Sequence, residues 1–179
     1  MPINIPQHLR NDNYPTSTQG RRLLWSLARP LFRCSPRFLY GWRNLLLRTF
    51  GATIGSNVRL YPTVQVMFPW NLQLGDHVVV GGDVRLYSLG PVRIASNVLI
   101  SQGAHLCAGS HDHRQNHFPL VLKPIAIEAG AWLAAECFIG PGVTVGAGSV
   151  VAARAVVVRN VEPGKVVAGN PARVVGTSP

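Results

Sequence analysis

The sequence predicts an all-β chain whose main body is a parallel β-helix of six-residue repeats, preceded by a helical segment and followed by a short C-terminal tail. Three observations carry this. From Ile54 to Val157 an aliphatic residue returns every six positions, usually followed by a small residue. Glycine (18) and proline (14) together make up about 18% of the 179 residues, against an average near 12%, so turns are many and long helices few. Charge is divided unevenly: residues 1–59 hold nine arginines and one acid, Asp12, whereas the rest of the chain holds eight basic and six acidic residues.

Residues 1–19 are expected to form an extended arm, because Pro2, Pro6 and Pro15 oppose helix. Residues 20–34 place apolar side chains at 23, 24, 27, 28, 31 and 32, close to helical spacing, and Pro30 is expected to kink or end that helix. Residues 36–50 repeat the theme, with an apolar stripe from Phe38 to Phe50 and arginines beside it. Two short basic amphipathic helices are the simplest reading. They can cap the main body, lie on an anionic membrane surface, or bind nucleic acid. The last is disfavoured, since there is no zinc finger, no RNA-binding aromatic motif and no basic groove in the main body. No apolar run reaches the roughly 18 residues of a spanning helix, and Met1 to Asn13 show no signal peptide. Three unpatterned cysteines, Cys34, Cys107 and Cys137, argue against a disulfide framework and for a reducing cytoplasm. The expected location is cytoplasmic, peripheral at the inner face of the cytoplasmic membrane if the basic helices bind lipid.

From residue 54 the frame is set by segments such as Ile54-Gly55, Leu74-Gly75, Val80-Gly81, Ile94-Ala95, Ile100-Ser101 and Leu106-Cys107. It is strictest in Ile127-Glu128, Leu133-Ala134, Ile139-Gly140, Val145-Gly146, Val151-Ala152 and Val157. A six-residue period with one large aliphatic position marks a parallel β-helix. Three short strands make a triangular coil of about eighteen residues, and each aliphatic side chain stacks on its equivalent about 4.8 Å away in the next coil. A single coil cannot bury its inward face, whereas a stack can. Positions 54, 74, 94, 127 and 145 start successive coils, with steps of 20, 20, 33 and 18 residues. The steps of 20 hold a two-residue bulge, the second near Leu89 to Pro91. The step of 33 holds an excursion over roughly residues 111–125. The chain therefore divides into residues 1–53, the arm and basic helices, and 54–179, the β-helix with its excursion loop.

A long loop on a rigid scaffold is a natural place for a site. This one carries Ser110-His111-Asp112-His113-Arg114-Gln115-Asn116-His117, three of the six histidines within seven residues. A neutral imidazole can act as general base. The three histidines could also clasp zinc, although the loop is short and offers no clear fourth ligand. G-x-S-x-G is absent, so a serine triad has no support.

The hexads, the loop entered through Gly109-Ser110-His111-Asp112, the Gly130-Ala131-Trp132 segment and the ending Val167-Ala168-Gly169-Asn170-Pro171-Ala172-Arg173-Val174 together resemble the left-handed β-helix acyltransferases. Within them the sequence looks most like the sugar O-acetyltransferases of exopolysaccharide (colanic-acid type) gene clusters, through Arg22 to Trp25, Gly41-Trp42-Arg43, Pro69 to Leu72 and Ser101-Gln102-Gly103. The resemblance spans residues 20–176 and supplies the left hand of the coil, which runs against the usual crossover rule. It implies homotrimers with sites between adjacent prisms, acetyl-CoA as co-substrate and no required metal. It makes His111 the catalytic base, with His113 and His117 loop structure or acceptor contacts. Trp132 would lie beside the pantetheine arm, and Ala135 and Ala153 would bond its amides through the backbone. Val158, Arg159, Gly169 and Arg173 would meet the nucleotide and phosphates, although Val158 stands where the family has threonine. In the maltose and galactoside branch an asparagine thirty residues before the base contacts the sugar. Here that position is Gly81, and Asp83 and Tyr87 nearby are the candidate substitutes.

The function expected is acetyl-CoA-dependent O-acetylation of a sugar hydroxyl in a polysaccharide or its lipid-linked precursor, with a saccharide acceptor as partner and no nucleic acid. N-acetylation of an amino sugar, a non-catalytic docking protein and a γ-type carbonic anhydrase are the alternatives. The last would lack the His111 loop and the Gly-Asn-Pro-Ala-Arg ending.

Overall fold

The computed structural model describes residues 16–179; the arm expected over residues 1–15 lies outside the described residues. Helix α1 spans Thr16–Arg33 and helix α2 Tyr40–Thr49, and thereafter the chain winds through short strands. Three parallel sheets form the faces of a prism. The first face stacks Thr53–Ile54, Leu72–Leu74, Val92–Ile94, Ile125–Ile127 and Thr144–Val145. The second stacks Arg59–Leu60, Val79–Val80, Leu99–Ile100, Trp132–Leu133, Val150–Val151 and Lys165–Ala168, and Arg173–Thr177 folds back antiparallel on its last strand. The third stacks Gln65–Val66, Arg85–Tyr87, His105–Cys107, Phe138–Ile139 and Val156–Val157.

Register follows the hexads. Ile54, Leu74, Ile94, Ile127 and Val145 stand above one another on the first face. Their equivalents Leu60, Val80, Ile100, Leu133 and Val151, and Val66, Leu86, Leu106, Ile139 and Val157, are buried on the other two. Burying each such side chain contributes about 1.5–3 kcal/mol, so the core is a continuous aliphatic column. The corners need left-handed backbone. Between the first and second faces Asn57, His77 and Asn97 take φ of 54°, 57° and 61°, and Gly130, Gly148 and Gly164 continue the ladder. Gly146 serves a different need. A Cβ there would stand 2.4 Å from the Pro163 nitrogen, so the fifth coil must pass the sixth with no side chain between. Gly146→Ala is expected to destabilise the chain by about 1–3 kcal/mol, the usual range for overpacking. Urea unfolding at fixed protein concentration checks it, and a change below about 0.5 kcal/mol would show that the coils separate freely.

The helices differ from expectation at their ends. α1 begins at Thr16, inside the segment read as an arm, and continues through Pro30 to Arg33. Pro30 does not end it because Phe32, two residues on, is buried in the core and packs edge-on to Trp25. α2 starts at Tyr40 rather than near 36, since residues 36–39 form a turn with the Leu39 amide bonded to the Pro36 carbonyl. The apolar stripe of α1 also divides. Trp25, Ala28 and Phe32 face the prism, while Leu23, Leu24, Leu27 and Leu31 are exposed.

The helices close an open edge. Within the stack each coil donates its amides to carbonyls of the next, as Gly55 does to Leu74 and Tyr61 to Val80, so the first coil's carbonyls have no coil before them. Side chains supply the missing donors. Arg48 bonds the Ile54 carbonyl at 2.8 Å, Asn44 that of Val58 at 2.8 Å, Arg43 that of Leu60 at 2.7 Å and the Trp25 indole that of Val66 at 3.0 Å. Part of the basic surplus of the N-terminal third is therefore backbone capping, required because buried carbonyls need partners.

Candidate active site

The excursion leaves the corner after the third-face strand His105–Cys107 as an antiparallel ribbon, Gly109–His111 against Leu120–Leu122, and rejoins the first face at Ile125. The ribbon places His111 two residues from the corner, opposite Leu120 and exposed. Its Nδ1 lies 2.7 Å from the Phe118 carbonyl. A carbonyl only accepts, so Nδ1 carries the proton and the basic lone pair falls on Nε2. Phe118 reaches this position with φ of 45°, a region costly for a bulky side chain. Asp112 is not the partner of the imidazole. Its carboxylate accepts from the Arg114 amide and Nε at 3.1 and 2.9 Å and from Gln115, and the Arg114 guanidinium holds its pKa down to about 2. Asp112 therefore keeps the loop tip folded. His113 is exposed on that tip and His117 half-buried.

The residues matched to the cofactor lie elsewhere on the prism. Trp132 is half-exposed on the second face, its indole donating to the Ser101 hydroxyl at 3.0 Å. Ala135, Ala153 and Gly169 follow second-face strands of three successive coils at the corner toward the third face. Coil-to-coil bonds tie this corner together, the Arg154 amide to the Ala135 carbonyl and the Val156 amide to the Gly169 carbonyl, both 2.9 Å. The Arg154–Glu136 ion pair flanks it. Arg173 stands beside Gly169 on the terminal hairpin, exposed, its guanidinium bonded to the Ala172 carbonyl. Val158 and Arg159 are exposed one face further on, after Val156–Val157. Thus Trp132, Ala135, Ala153, Gly169 and Arg173 share one edge, and Val158 and Arg159 do not. His111 stands at the other end of the third face, about five or six residues of strand away, or roughly 17–20 Å.

The two acceptor candidates also separate. Asp83 is an exposed corner residue with φ of 59°, its amide bonded to the Thr63 hydroxyl. Tyr87 is half-buried on the third face, edge-on to His105 at 6.2 Å. Two features had no signal in the sequence. One is the Phe118 carbonyl, legible only once the ribbon is paired. The other is a cavity of about 700 Å³ between α1 and the third face, lined by Tyr87 among others. Its walls come from four segments separate in sequence, on α1, at 64–67, at 85–87 and at His105.

A three-sided hexad coil interrupted by a histidine-bearing ribbon, with small residues stacked along one corner, is the arrangement expected from the resemblance to the left-handed β-helix acyltransferases. The comparisons with known proteins agree. WcaF of Escherichia coli (strain K12), whose name assigns it provisionally as a colanic acid biosynthesis acetyltransferase, is 47% identical over 154 residues, 86% of this chain and 85% of its own. The galactoside O-acetyltransferase of the same organism is 30% identical over 137 residues, 74% and 67% of the two chains. The hexapeptide-repeat acetyltransferase VCA0836 of Vibrio cholerae O1 biovar eltor, solved with acetyl coenzyme A, superposes with a TM-score of 0.84 at 26% identity over 95% of each chain. No family model matches the sequence. The chain belongs to the hexapeptide-repeat acetyltransferases, has their left-handed coil, and is an acyltransferase.

Proposed function

We propose that this protein transfers an acetyl group from acetyl-CoA to a hydroxyl of a sugar, in a polysaccharide or its lipid-linked precursor, with His111 as general base. The observation that carries the reading is the 2.7 Å contact of His111 Nδ1 with the Phe118 carbonyl, which leaves Nε2 as the proton acceptor. Nε2 takes the hydroxyl proton as the oxygen attacks the thioester carbon. The C–S bond breaks, and the departing thiolate recovers the proton from the imidazolium. A sugar rather than a protein acceptor is supported by the named relatives WcaF and galactoside O-acetyltransferase. Acceptor-dependent release of free thiol from acetyl-CoA, with the product identified as ester, tests the reading. An amide product would move it to an amino sugar.

The active unit is a homotrimer. His111 and the Trp132 edge stand at opposite ends of one face, so His111 of one copy completes the corner of its neighbour. Mixed assemblies test this. His111→Ala and Ala153→Trp are each expected to be inactive alone. Scrambled at equal amounts, they are expected to recover about a quarter of wild-type activity, because half the corners and half the loops remain intact in independent copies of a cyclic assembly. Recovery no greater than the sum of the two would place both parts in one chain.

The protein also docks on anionic lipid through the outer face of α1. Leu23, Leu24, Leu27 and Leu31 are 57–68% exposed there, and Phe38, Trp42 and Leu45 extend the patch, with the Trp42 indole bonded to the Leu31 carbonyl. The segment is strongly basic, with Arg21, Arg22, Arg29, Arg33 and Arg37, and no acid lies between residues 16 and 59. An apolar face on a basic helix is the pattern of an interfacial helix. Among the described residues no helix is long and apolar enough to cross a membrane. Co-sedimentation with phosphatidylglycerol vesicles, weakened by salt and abolished by Leu27→Glu, is the expected result. Equal sedimentation with neutral vesicles, or loss of self-association alone in Leu27→Glu, would remove the lipid surface from the account.

A further inference from the structure

The cavity between the C-terminal half of α1 and the third face has a charge pattern that the capping and catalytic roles leave unexplained. Arg29 and Arg33, one turn apart on α1, line one wall, and Arg85 lines the facing strand, with Gln65, Tyr87 and His105 beside it. None of the lining residues is acidic. Among the described residues the ion pairs are Arg114–Asp112 and Arg154–Glu136, so no described carboxylate pairs with these three guanidiniums. Arg29 donates to the Met67 sulfur at 3.8 Å, a weak acceptor. Burial, and then the charge of Arg85, holds His105 below the usual histidine range. Its ring is therefore neutral near pH 7 and offers one donor and one acceptor.

We propose that this cavity is a binding subsite for a negatively charged saccharide, a sugar bearing a carboxylate or phosphate group. Three like charges around one volume of about 700 Å³ make a positive field that an anion relieves, and guanidinium pairs bidentately with either group. Gln65, Tyr87 and His105 have the mixed donors and acceptors that hydroxyls need, and Pro30 and Met67 provide apolar surface for a ring face. The cavity also lies on the acceptor side of the chemistry. Tyr87 pairs with Cys107, four residues before His111, which is at most about 14 Å of chain. An acidic saccharide of more than one unit would anchor its charge in the cavity and present a hydroxyl near the ribbon. This inference rests on the sugar-acetylation reading and narrows its acceptor.

The test is a titration of the full-length protein by NMR, following the His105 ring proton, assigned by His105→Gln. The probes are D-glucuronate, D-glucose 1-phosphate, D-glucose and inorganic sulfate. A saturable shift with glucuronate or glucose 1-phosphate, absent with glucose and much weaker with sulfate, is the expected result. Which of the two acidic sugars binds tells carboxylate from phosphate. Arg29→Gln and Arg85→Gln alter exposed side chains, so both should fold with unchanged melting temperature and each bind about tenfold more weakly, the loss of one charge-assisted contact. Equal shifts with glucose, equal affinity for bare sulfate, or no shift with any probe would overturn the subsite. Because binding is read without turnover, failure of acetyl transfer leaves this result standing, and transfer that both arginine variants leave untouched overturns the subsite alone.

Discussion

His111→Ala is expected to lower kcat for acceptor-dependent thiol release by about 100-fold to 10,000-fold, the span that general-base catalysis contributes. Coenzyme A affinity should stay at the wild-type value. The separation follows from the geometry: His111 is held by the ribbon, through its pairing with Leu120 and its bond to the Phe118 carbonyl, and Trp132 and the stacked Ala135, Ala153 and Gly169 belong to another edge. The side chain is exposed, so its removal leaves no core cavity and the melting temperature should not move. His111→Gln places an amide near the same position but supplies no base, and it should be as inactive as alanine. Steady-state kinetics, with calorimetry for coenzyme A, reads both parameters. Robust acceptor-dependent turnover in His111→Ala would remove this histidine from the mechanism and send the search to His113 and His117 on the loop tip. Lost coenzyme A affinity together with lost kcat would instead mean that the ribbon shapes the cofactor edge.

The β-helix was the legible part of this chain because its determinant is one-dimensional. Each hexad carries its own inward residue, and identical periods must stack, so Ile54, Leu74, Ile94, Ile127 and Val145 align without knowledge of any distant contact. The excursion was legible for the same reason, as a defect in the period. The helices were less so. Spacing predicts that residues 23, 24, 27, 28, 31 and 32 form a stripe, but it cannot say which of them the prism covers. Trp25, Ala28 and Phe32 face it and the leucines are left outside. Pro30 was weighed as a local breaker, and tertiary burial of Phe32 outweighed it. At the site, residue types were readable from resemblance and juxtaposition was not. Nothing in the order of residues tells that Asp112 bonds Arg114 rather than His111, or that Arg29, Arg33 and Arg85 meet around one cavity.

Arg43 carries the largest expected effect on stability. Its side chain is wholly buried, and its guanidinium donates to the carbonyls of Leu60, Pro36 and Arg37 and to the Ser35 hydroxyl, at 2.6–2.8 Å. The Tyr40 ring lies 5.1 Å away. Burial pushes the guanidinium pKa down, yet arginine stays protonated at any pH a folded protein survives, so a full charge is held here by three carbonyls, a hydroxyl and a ring face. No other side chain has a fork able to serve the first coil and the residue 36–39 turn at once. Arg43→Met keeps volume and removes every donor. Each buried carbonyl left without a partner costs about 1–3 kcal/mol, and water entering the open end offsets part of that. A net loss of about 3–5 kcal/mol is expected, the range for breaking a buried charged network. Arg43→Lys should recover only a fraction, because a single ammonium cannot reach acceptors spread around a planar fork. Arg29→Gln, an exposed change on the neighbouring helix, should shift stability by no more than about 0.5 kcal/mol. Urea unfolding of the three variants at one protein concentration decides the matter. If Arg43→Met lost under about 1 kcal/mol, the first coil would not depend on this cap. The basic surplus of the N-terminal third would then be left to its surface partners alone.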